Sequence, residues 1–346
     1  MQSNFSESQS VAKALLCEYG LSPEVAERSS HEITMADAWG RGSHGLLRLP
    51  HYLRRLKAGG INAKAELSVI KETGAVLALD GHGGMGHFQA HRASVLATQR
   101  AQRYGVGVVS VADSNHCGVL GLYVLEMLEQ GLIGLAFTNG PAVMPAWDGN
   151  RPLLSTSPLA AGIPSQPRPT IIDMATSTVA RGRIAQAAAA DEEIPDGWAF
   201  DSNGIPTNDP KIALNGMLAP MAGAKGFALA LMVEALTGGL VGPSLSTQVA
   251  DPLSLDAIAT PQRLSHLLMA IDPSAFGIDS SSTERLNEMA HQVVSSNGRL
   301  PGAGRPLPNE ITPQTKIQIA DSVAKEIVQM AKTANIELPP SWELAL

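Results

Sequence analysis

Ser110-Val-Ala-Asp-Ser-Asn-His-Cys-Gly118 is the stretch on which the reading of the whole chain turns. Val106 to Ala112 is a β-branched, apolar run of strand length, bounded by Gly105 and by Asp113-Ser114-Asn115. Polar residues crowd around His116, and Gly118 opens an amphipathic segment, Val119 to Glu129. A second apolar run, Leu132 to Phe137, ends in Thr138-Asn139-Gly140-Pro141. The order is strand, polar corner with a histidine, helix, strand, polar corner. In open α/β sheets ligands sit just beyond the carboxyl ends of strands, so the pattern predicts that His116 and Asn139 share one crevice.

With 346 residues the chain can bury a large core, as one large or two intertwined α/β units. It is 44% hydrophobic and 16% charged, the composition of an ordinary folded enzyme rather than a disordered chain. The net charge of -7, without a basic run, argues against nucleic acid and anionic membrane as partners. No stretch approaches the roughly 20 apolar residues that span a bilayer. Met1 to Gln9 is polar and lacks the basic-then-apolar order of a secretory signal. Cys17 and Cys117 are too few for a disulfide framework, so a reducing cytoplasm is the expected compartment.

Taken in order, Ser6–Tyr19 and Ser22–Trp39 read as helices, the second with Ser22 as N-cap and Pro23 at the first helical position. In Arg41-Gly-Ser-His-Gly-Leu-Leu-Arg-Leu-Pro-His-Tyr-Leu-Arg-Arg55, Pro50 starts the helix proper and Ser43 to Leu49 forms a shaped turn before it. Spacing alone leaves open whether this polar cluster is a solvated face or part of a site. Val76 to Asp80 is a strand, followed by a helix from about Phe88 to Arg103. Between them Gly81, Gly83 and Gly86 satisfy G-x-G-x-x-G. The acidic residue a Rossmann site needs is Asp113, about 30 positions on rather than about 20, and His82 and His87 crowd the loop.

Further on, Ile171 to Ser177 reads as a strand, Thr178 to Ala190 as a helix, and Asp191 to Pro210 as a turn-rich excursion. Gly223-Ala-Lys-Gly226 precedes an apolar helix, Phe227 to Leu240. It is either an anion seat at a helix N-terminus or a glycine turn before a core helix. Residues 241–262 read as a surface loop, Leu264–Ile271 as a strand, Thr283–Ser296 as a helix and Ile319–Ile336 as an amphipathic helix. Leu300-Pro-Gly-Ala-Gly-Arg305 is a second glycine turn carrying a cation.

No cysteine or carboxylate cluster completes a metal shell around His116, and no G-x-S-x-G elbow occurs, so neither metal nor serine-nucleophile chemistry is expected. What remains is Ser43, His44, Arg48, Asn115 and His116. Histidine exchanges a proton near neutral pH and arginine grips a carboxylate through two parallel hydrogen bonds. The set suits a small acid whose C2 oxygen or nitrogen gains or loses a proton.

Six motifs in order then resemble the malate/L-lactate dehydrogenase family of the second, non-Rossmann type. They are Ser43-His-Gly-Leu-Leu-Arg-Leu-Pro-His-Tyr52, Ser114-Asn-His-Cys-Gly118, Arg151-Pro-Leu-Leu-Ser-Thr-Ser-Pro158, Asp173-Met-Ala-Thr-Ser177, Ile194-Pro-Asp-Gly-Trp198 and Gly223-Ala-Lys-Gly226. That group also holds ureidoglycolate and sulfolactate dehydrogenases and the reductases of Δ1-pyrroline- and Δ1-piperideine-2-carboxylate. The resemblance implies an α/β, non-Rossmann fold with a mixed sheet and flanking helices. It sets aside the Gly81-Gly83-Gly86 reading and implies NAD(H) or NADP(H), a small carboxylate-bearing substrate and a homodimer. The chain is then a single unit, with helical parts at about 1–70 and 319–336 around an α/β core at about 71–310.

By motif position, the resemblance places Arg48 on the substrate carboxylate, with Tyr52 and Asn115 beside the substrate. Cofactor-lining positions are Cys117, Gly118, Asn139, Gly140, Thr156, Pro158, Asp173, Met174, Ala175, Lys225 and Gly226, with Pro301, Gly302 and Arg305 on a turn closing over the cofactor. In hydroxyacid members the residue matching His116 carries the proton; in imine-reducing members the pair matching Ser43 and His44 does. All three are present. Departures from the pattern are Ser155-Thr-Ser-Pro158 for Gly-Thr-Asn-Pro, Met144-Pro-Ala-Trp-Asp-Gly149 for Ala-Pro-Trp-Gly-Gly, and Gly140 for a serine. Arg183 stands where imine reductases of the family carry an acid, which favours carbonyl chemistry.

Overall fold

The two apolar runs flanking the histidine corner, Val106–Ser114 and Ile133–Thr138, do not pair with one another; Leu264–Ile271 lies between them, antiparallel to both. The computed structural model describes residues 1–251, 255–277 and 281–343. In chain order the strands are β1 (Gln2–Asn4), β2 (Ser68–Thr73), β3 (Val76–Asp80), β4 (Val106–Ser114), β5 (Ile133–Thr138), β6 (Met144–Pro145) and β7 (Pro152–Leu154). There follow β8 (Leu159–Ile163), β9 (Thr170–Met174), β10 (Ala199–Phe200), β11 (Pro206–Thr207), β12 (Met217–Leu218), β13 (Leu264–Ile271) and β14 (Lys316–Gln318). The helices are α1 (Phe5–Glu18), α2 (Pro23–Ala38), α3 (Leu49–Ala58), α4 (Gly86–Tyr104), α5 (Leu125–Glu129) and α6 (Arg181–Ala190). The remainder are α7 (Pro210–Leu214), α8 (Ala224–Glu234), α9 (Ser281–Ser295), α10 (Asp321–Thr333) and α11 (Pro340–Glu343).

A seven-stranded sheet in the order β2-β3-β4-β13-β5-β8-β9 organises the molecule. Only β3 and β4 pair in parallel; every other neighbouring pair in it is antiparallel. It follows that β3, β4, β5 and β9 all point the same way, and Asp80, Ser114, Thr138 and Met174 end on one edge of the sheet. β8 and β13 begin on that edge, at Leu159 and Leu264. The fold is therefore α/β with a mixed sheet, and its topology gathers the polar corners that are far apart in sequence. Central β13 is buried along nearly its whole length, as a strand with neighbours on both sides requires.

α4 lies on the sheet through Ala90, Ala93, Ala97 and Ala101, all fully buried. Small side chains bring helix and strand so close that a Cβ on Gly107 of β4 would stand 2.0 Å from Ala97 O. The largest apolar core joins α1, α2, α3 and α10 to this sheet, with Leu15, Leu16, Ile33, Leu53, Ile327 and Trp342 in one cluster. A smaller core, including Met144, Leu154, Ile184, Ala213, Leu218 and Ala230, underlies α6 to α8 and the short strands β6, β7, β10 and β12. Among the described residues no helix is long and apolar enough to cross a membrane.

Several expectations change in detail. The segment Val119–Glu129 is not one helix: Val119 is extended, Leu120–Leu122 forms a 3-10 turn, and only α5 is helical. Gly121 is wedged there, with a Cβ placed 3.0 Å from Trp39 and 3.1 Å from Asp173, so packing overrides the helical pattern. α8 starts earlier than expected, which puts Lys225 in its first turn, and it ends in a π-helical turn, Ala235–Gly239. The loop 241–262 is not purely surface, since Ser244, Ser246, Val249 and Gln262 are buried; residues 252–254 lie outside the described residues. Before α3 the shaped turn is present as two 3-10 turns, Gly42–His44 and Leu46–Arg48, with Pro50 in the first turn of the helix.

Candidate active site

The corner after β4 is built from the inside. Ser114 Oγ donates to Gln89 Oε1 (2.7 Å), because Gln89 spends its own amide N–H on Gly81 O (2.6 Å). Ser114 Oγ is then the acceptor for His266 Nε2 at 2.9 Å, and His266 Nδ1 meets Thr138 Oγ1 at 2.8 Å. His266 lies on β13 between the two corners, fully buried, and burial pulls its imidazole down to about 4. It is a neutral strut tying the end of β4 to the end of β5.

Asn115, expected beside the substrate, is instead spent within the protein. Its Nδ2 donates to Gly83 O (2.7 Å) and Gly84 O (3.0 Å), while its Oδ1 accepts from Arg55 Nη2 (3.2 Å). The glycine loop after β3 exists to admit this corner. A Cβ on Gly86 would stand 2.0 Å from Asn115 O, so protein backbone fills the place that phosphate takes in a dinucleotide loop.

His116 is half-buried and held at one ring nitrogen. Tyr52 Oη lies 2.7 Å from Nδ1, and Gly118 N–H points at the same nitrogen from 3.3 Å. Gly118 takes φ 76°, and a Cβ on it would press on His87 Nε2 at 2.8 Å. His116 Nε2 carries no protein hydrogen bond among the described residues. Tyr52, also expected beside the substrate, is therefore the partner of His116. A hydroxyl donates to an unprotonated Nδ1 and accepts from Nδ1–H, so the contact survives in either tautomer and either charge state.

A second histidine stacks on the first: His44 and His116 have ring centroids 5.6 Å apart at 24°. His44 Nδ1 lies 3.0 Å from Ser43 Oγ, and Arg48 Nε donates to Ser43 O at 2.9 Å. That bond aims the arginine and leaves its two terminal nitrogens without protein partners among the described residues. The turn carrying all three is pinned by Asp37 of α2, whose Oδ2 accepts Leu46 N–H at 2.7 Å. Gly45 makes room for it, since a Cβ would stand 2.2 Å from that oxygen and push the carboxylate aside. Burial pushes the Asp37 carboxyl up to about 7, against the opposing Leu46 N–H.

Electrostatics keep the cluster neutral. Burial first, then the Arg48 and Arg41 charges, pull His44 down to about 4. Burial, with His44 and Arg48 beside it, holds His116 well below the usual histidine range. Burial also pushes the Tyr52 phenol far above its ordinary value, so Tyr52 stays protonated.

The positions read as cofactor-lining differ in where they lie and in what they offer. Cys117 is buried, its thiol pushed up to about 12 by burial, and its carbonyl accepts Tyr123 Oη. Asn139 is committed: Nδ2 donates to Ser244 O (2.8 Å) and Oδ1 accepts Ser265 N–H (3.0 Å). Gly140 faces Ser155, and Thr156 and Pro158 are half-buried just before β8. Asp173 and Met174 end β9, followed by half-buried Ala175. Arg305 Nη1 is buried and ion-pairs with Asp173 Oδ2 at 3.6 Å without a hydrogen bond, and its guanidinium lies 5.0 Å over the Trp39 ring. The 301–302 turn docks on the sheet edge, where Ile171 N–H donates to Pro301 O at 2.9 Å and Gly302 crowds Ile171. Lys225 is exposed, whereas Gly226 is a packing glycine 2.1 Å, by its missing Cβ, from Met221 O.

The sequence reading gives no site role to His266, Gln89, Gln262, Asp37 or Arg55. A polar residue inside an apolar strand, as in Leu264-Ser-His-Leu-Leu-Met-Ala-Ile271, was the one available signal for His266. Arg183, read as favouring carbonyl chemistry, stands exposed on α6. Among the described residues no group of three or more His, Cys, Asp or Glu is arranged to hold a metal ion.

A model of malate/L-lactate dehydrogenase matches residues 3–329. The malate/(S)-sulfolactate dehydrogenase of Methanothermus fervidus is 34% identical over 335 residues, 96% of this chain and 98% of its own. The (2R)-3-sulfolactate dehydrogenase (NADP(+)) of Chromohalobacter salexigens is 36% identical over 301 residues, 86% of this chain and 89% of its own. Among solved structures, Δ1-piperideine-2-carboxylate reductase from Pseudomonas syringae superposes with a TM-score of 0.87 at 29% identity, covering 96% of this chain and 100% of its own.

Proposed function

The chain belongs to the malate/L-lactate dehydrogenase family, and from that premise we propose that it is an NAD(P)-dependent oxidoreductase interconverting a small 2-oxo acid and its 2-hydroxy acid. The observation that carries this reading is the Tyr52–His116 pair at 2.7 Å, within the field of Arg48. Arg48 grips the substrate carboxylate through its two free terminal nitrogens and so orients C2. His116 exchanges the proton at Nε2 with the C2 oxygen, while Tyr52 holds the ring through Nδ1. To take the proton from a hydroxy acid the ring is neutral with its hydrogen on Nδ1, donated to Tyr52 Oη, which leaves the Nε2 lone pair free. For reduction the ring is protonated first, which a carboxylate on Arg48 favours by offsetting a charge that depresses it.

The residues present fit a dinucleotide. α8 opens at Gly223, φ 64°, without a side-chain cap, and Lys225 is exposed in its first turn. Those free amides, the helix dipole and the ammonium suit a diphosphate. The half-buried Thr156 and Arg305 Nη1, ion-paired with Asp173 but without a hydrogen bond, add polar contacts. When bound, the nicotinamide supplies or accepts the hydride at C2.

Absorbance of the reduced nicotinamide, followed with NADH and NADPH against a panel of 2-oxo acids and cyclic imino acids, tests the reading. Turnover of 2-oxo acids is expected; turnover of Δ1-pyrroline-2-carboxylate alone would sink it. That second reading, cyclic imino acid reduction, draws on the Ser43–His44 contact at 3.0 Å, which forms a proton-carrying pair of its own. Arg48→Ala is expected to raise KM for the acid roughly 10- to 100-fold, the equivalent of about 1.5–3 kcal/mol for hydrogen bonds to a charged group. Saturation kinetics on the variant check this, and an unchanged KM would remove Arg48 from the carboxylate.

The partner proposed is a second copy of the chain. α8 exposes Leu229, Leu231 and Met232, and Leu240 beyond it is 69% exposed, an apolar surface of the kind a homodimer covers. Sedimentation is expected to give twice the chain mass, falling to one in a Leu231→Glu, Leu240→Glu double variant. A monomeric parent protein would end that proposal. Cys17 and Cys117 are both free, which suits the cytoplasm as the compartment; recovery in an extracellular fraction would exclude it.

A further inference from the structure

Arg55 is 1% exposed, yet its guanidinium meets only uncharged oxygens. Nη2 donates to Gly60 O (2.8 Å), Thr260 O (3.0 Å) and Asn115 Oδ1 (3.2 Å), and Nη1 donates to Ala257 O (3.3 Å). Nε is buried and unpartnered. Among the described residues no carboxylate pairs with it. A buried cation without an acid is costly to hold, and a neutral side chain of similar length would serve packing better.

The four oxygens explain what the fork does. They come from the end of α3, from the histidine corner and from the loop that leads into β13. That loop also delivers Gln262, 3% exposed, whose Oε1 accepts the backbone N–H of His116 at 3.1 Å. Gly60 lets the loop come down: a Cβ on it would stand 2.2 Å from Ile258 O and 3.1 Å from Arg55 Cζ. From Arg48, the cap residue of α3, Tyr52 and Arg55 follow at i+4 and i+7, along one face of the helix. One face thus carries the carboxylate grip, the ring partner of His116 and the tie to its backbone.

We propose that Arg55 is a positioning residue of the active site: it clasps the 257–262 loop and the Asn115 amide together, so that Gln262 and Tyr52 hold His116 by backbone and ring at once. The proposal rests on the reading of His116 as the proton carrier. Three variants test it: Arg55→Met removes the fork and charge, Arg55→Lys keeps the charge, and Gln262→Met removes one bond. Each is measured for kcat, KM, binding of NADH or NADPH by fluorescence, thermal midpoint and amide exchange by segment.

In Arg55→Met, kcat is expected to fall at least about tenfold, with KM and cofactor affinity within about threefold, the pattern of a lost transition-state arrangement. Exchange should rise in 113–119 and 257–263 while 106–111 of β4 stays protected. Arg55→Lys should stay impaired, because a single ammonium cannot span four oxygens in a planar fork. Gln262→Met should show the same pattern more weakly, and it decides the matter if Arg55→Met does not fold. A lowered thermal midpoint with kcat unchanged, a full rescue by lysine, or exchange that rises uniformly would overturn the proposal. If the parent protein turns over no 2-oxo or imino acid, the proposed reaction fails, while the segmental exchange still decides the clasp.

Discussion

Glutamine in place of His116 is expected to lower kcat for 2-oxo acid reduction by about 10²–10⁴-fold, the usual contribution of a positioned acid–base group. The amide fills the space and can still meet Tyr52 Oη, but it cannot carry a proton. KM for the acid should stay within about threefold, since Arg48 and not His116 holds the carboxylate in this reading. Tyr52→Phe should cost less, about tenfold, because it loosens the ring without removing it. The stronger statement is the combination. Tyr52 acts through His116 Nδ1 at 2.7 Å, so adding Tyr52→Phe to His116→Gln should cost almost nothing further. Two independent losses that multiply would mean that Tyr52 touches the substrate itself. A parallel His44→Gln separates the two chemistries. If it abolishes turnover while His116→Gln retains most of it, the proton travels through Ser43 and His44, as the imine reading requires.

The parts of this site written locally were legible, and the parts written by topology were not. β-branched runs ending in polar corners marked β4 and β5, and Pro50 separated the shaped turn from α3. Six ordered motifs then carried the family. What no local pattern announces is that β13, more than a hundred residues later, inserts between β4 and β5. That insertion supplies His266, and its preceding loop supplies Gln262, so the supports of the two corners were invisible. The same blindness explains Asn115 and Asn139. Polar residues at strand ends look free in sequence, yet each amide is consumed by chain arriving from elsewhere: Arg55 and Gly83 for one, Ser244 and Ser265 for the other. Substrate identity stays unwritten for a related reason, since pocket walls come from loops whose packing no motif specifies.

Acidification is expected to unfold this protein between about pH 6.5 and 4, with strongly cooperative proton uptake. Seven histidines carry the argument. His31, His44, His51 and His266 are pulled to about 4, and His87 and His91 to about 3, in each case chiefly by burial. His116 lies well below the ordinary range for the same reason. In an unfolded chain each returns to about 6.5. As pH falls, the unfolded chain therefore binds protons that the folded one refuses. The stability they contribute is fully present above about pH 6.5 and is lost progressively toward pH 4. Each proton taken up costs about 1.4 kcal/mol per pH unit, so a few such rings acting together remove a large part of the stability of a domain. Asp37 opposes this: its carboxyl is raised to about 7, so its share of stability is present at low pH and lost as pH rises through 7. Glu32 and Asp173, also raised by burial, act in the same sense. Three carboxyls oppose seven imidazoles over the same window, so the balance, about four protons, still goes to the unfolded chain as pH falls. Circular dichroism against pH, with proton uptake taken from the pH dependence of the thermal midpoint, should give a midpoint near pH 5 and an uptake of about four protons. His91→Gln, remote from the His44–His116 pair, should reduce that uptake by about one and move the midpoint to lower pH. A folded protein at pH 4, or an uptake of one or two protons, would mean that water reaches these rings and that the neutral histidine cluster does not govern the acid limit.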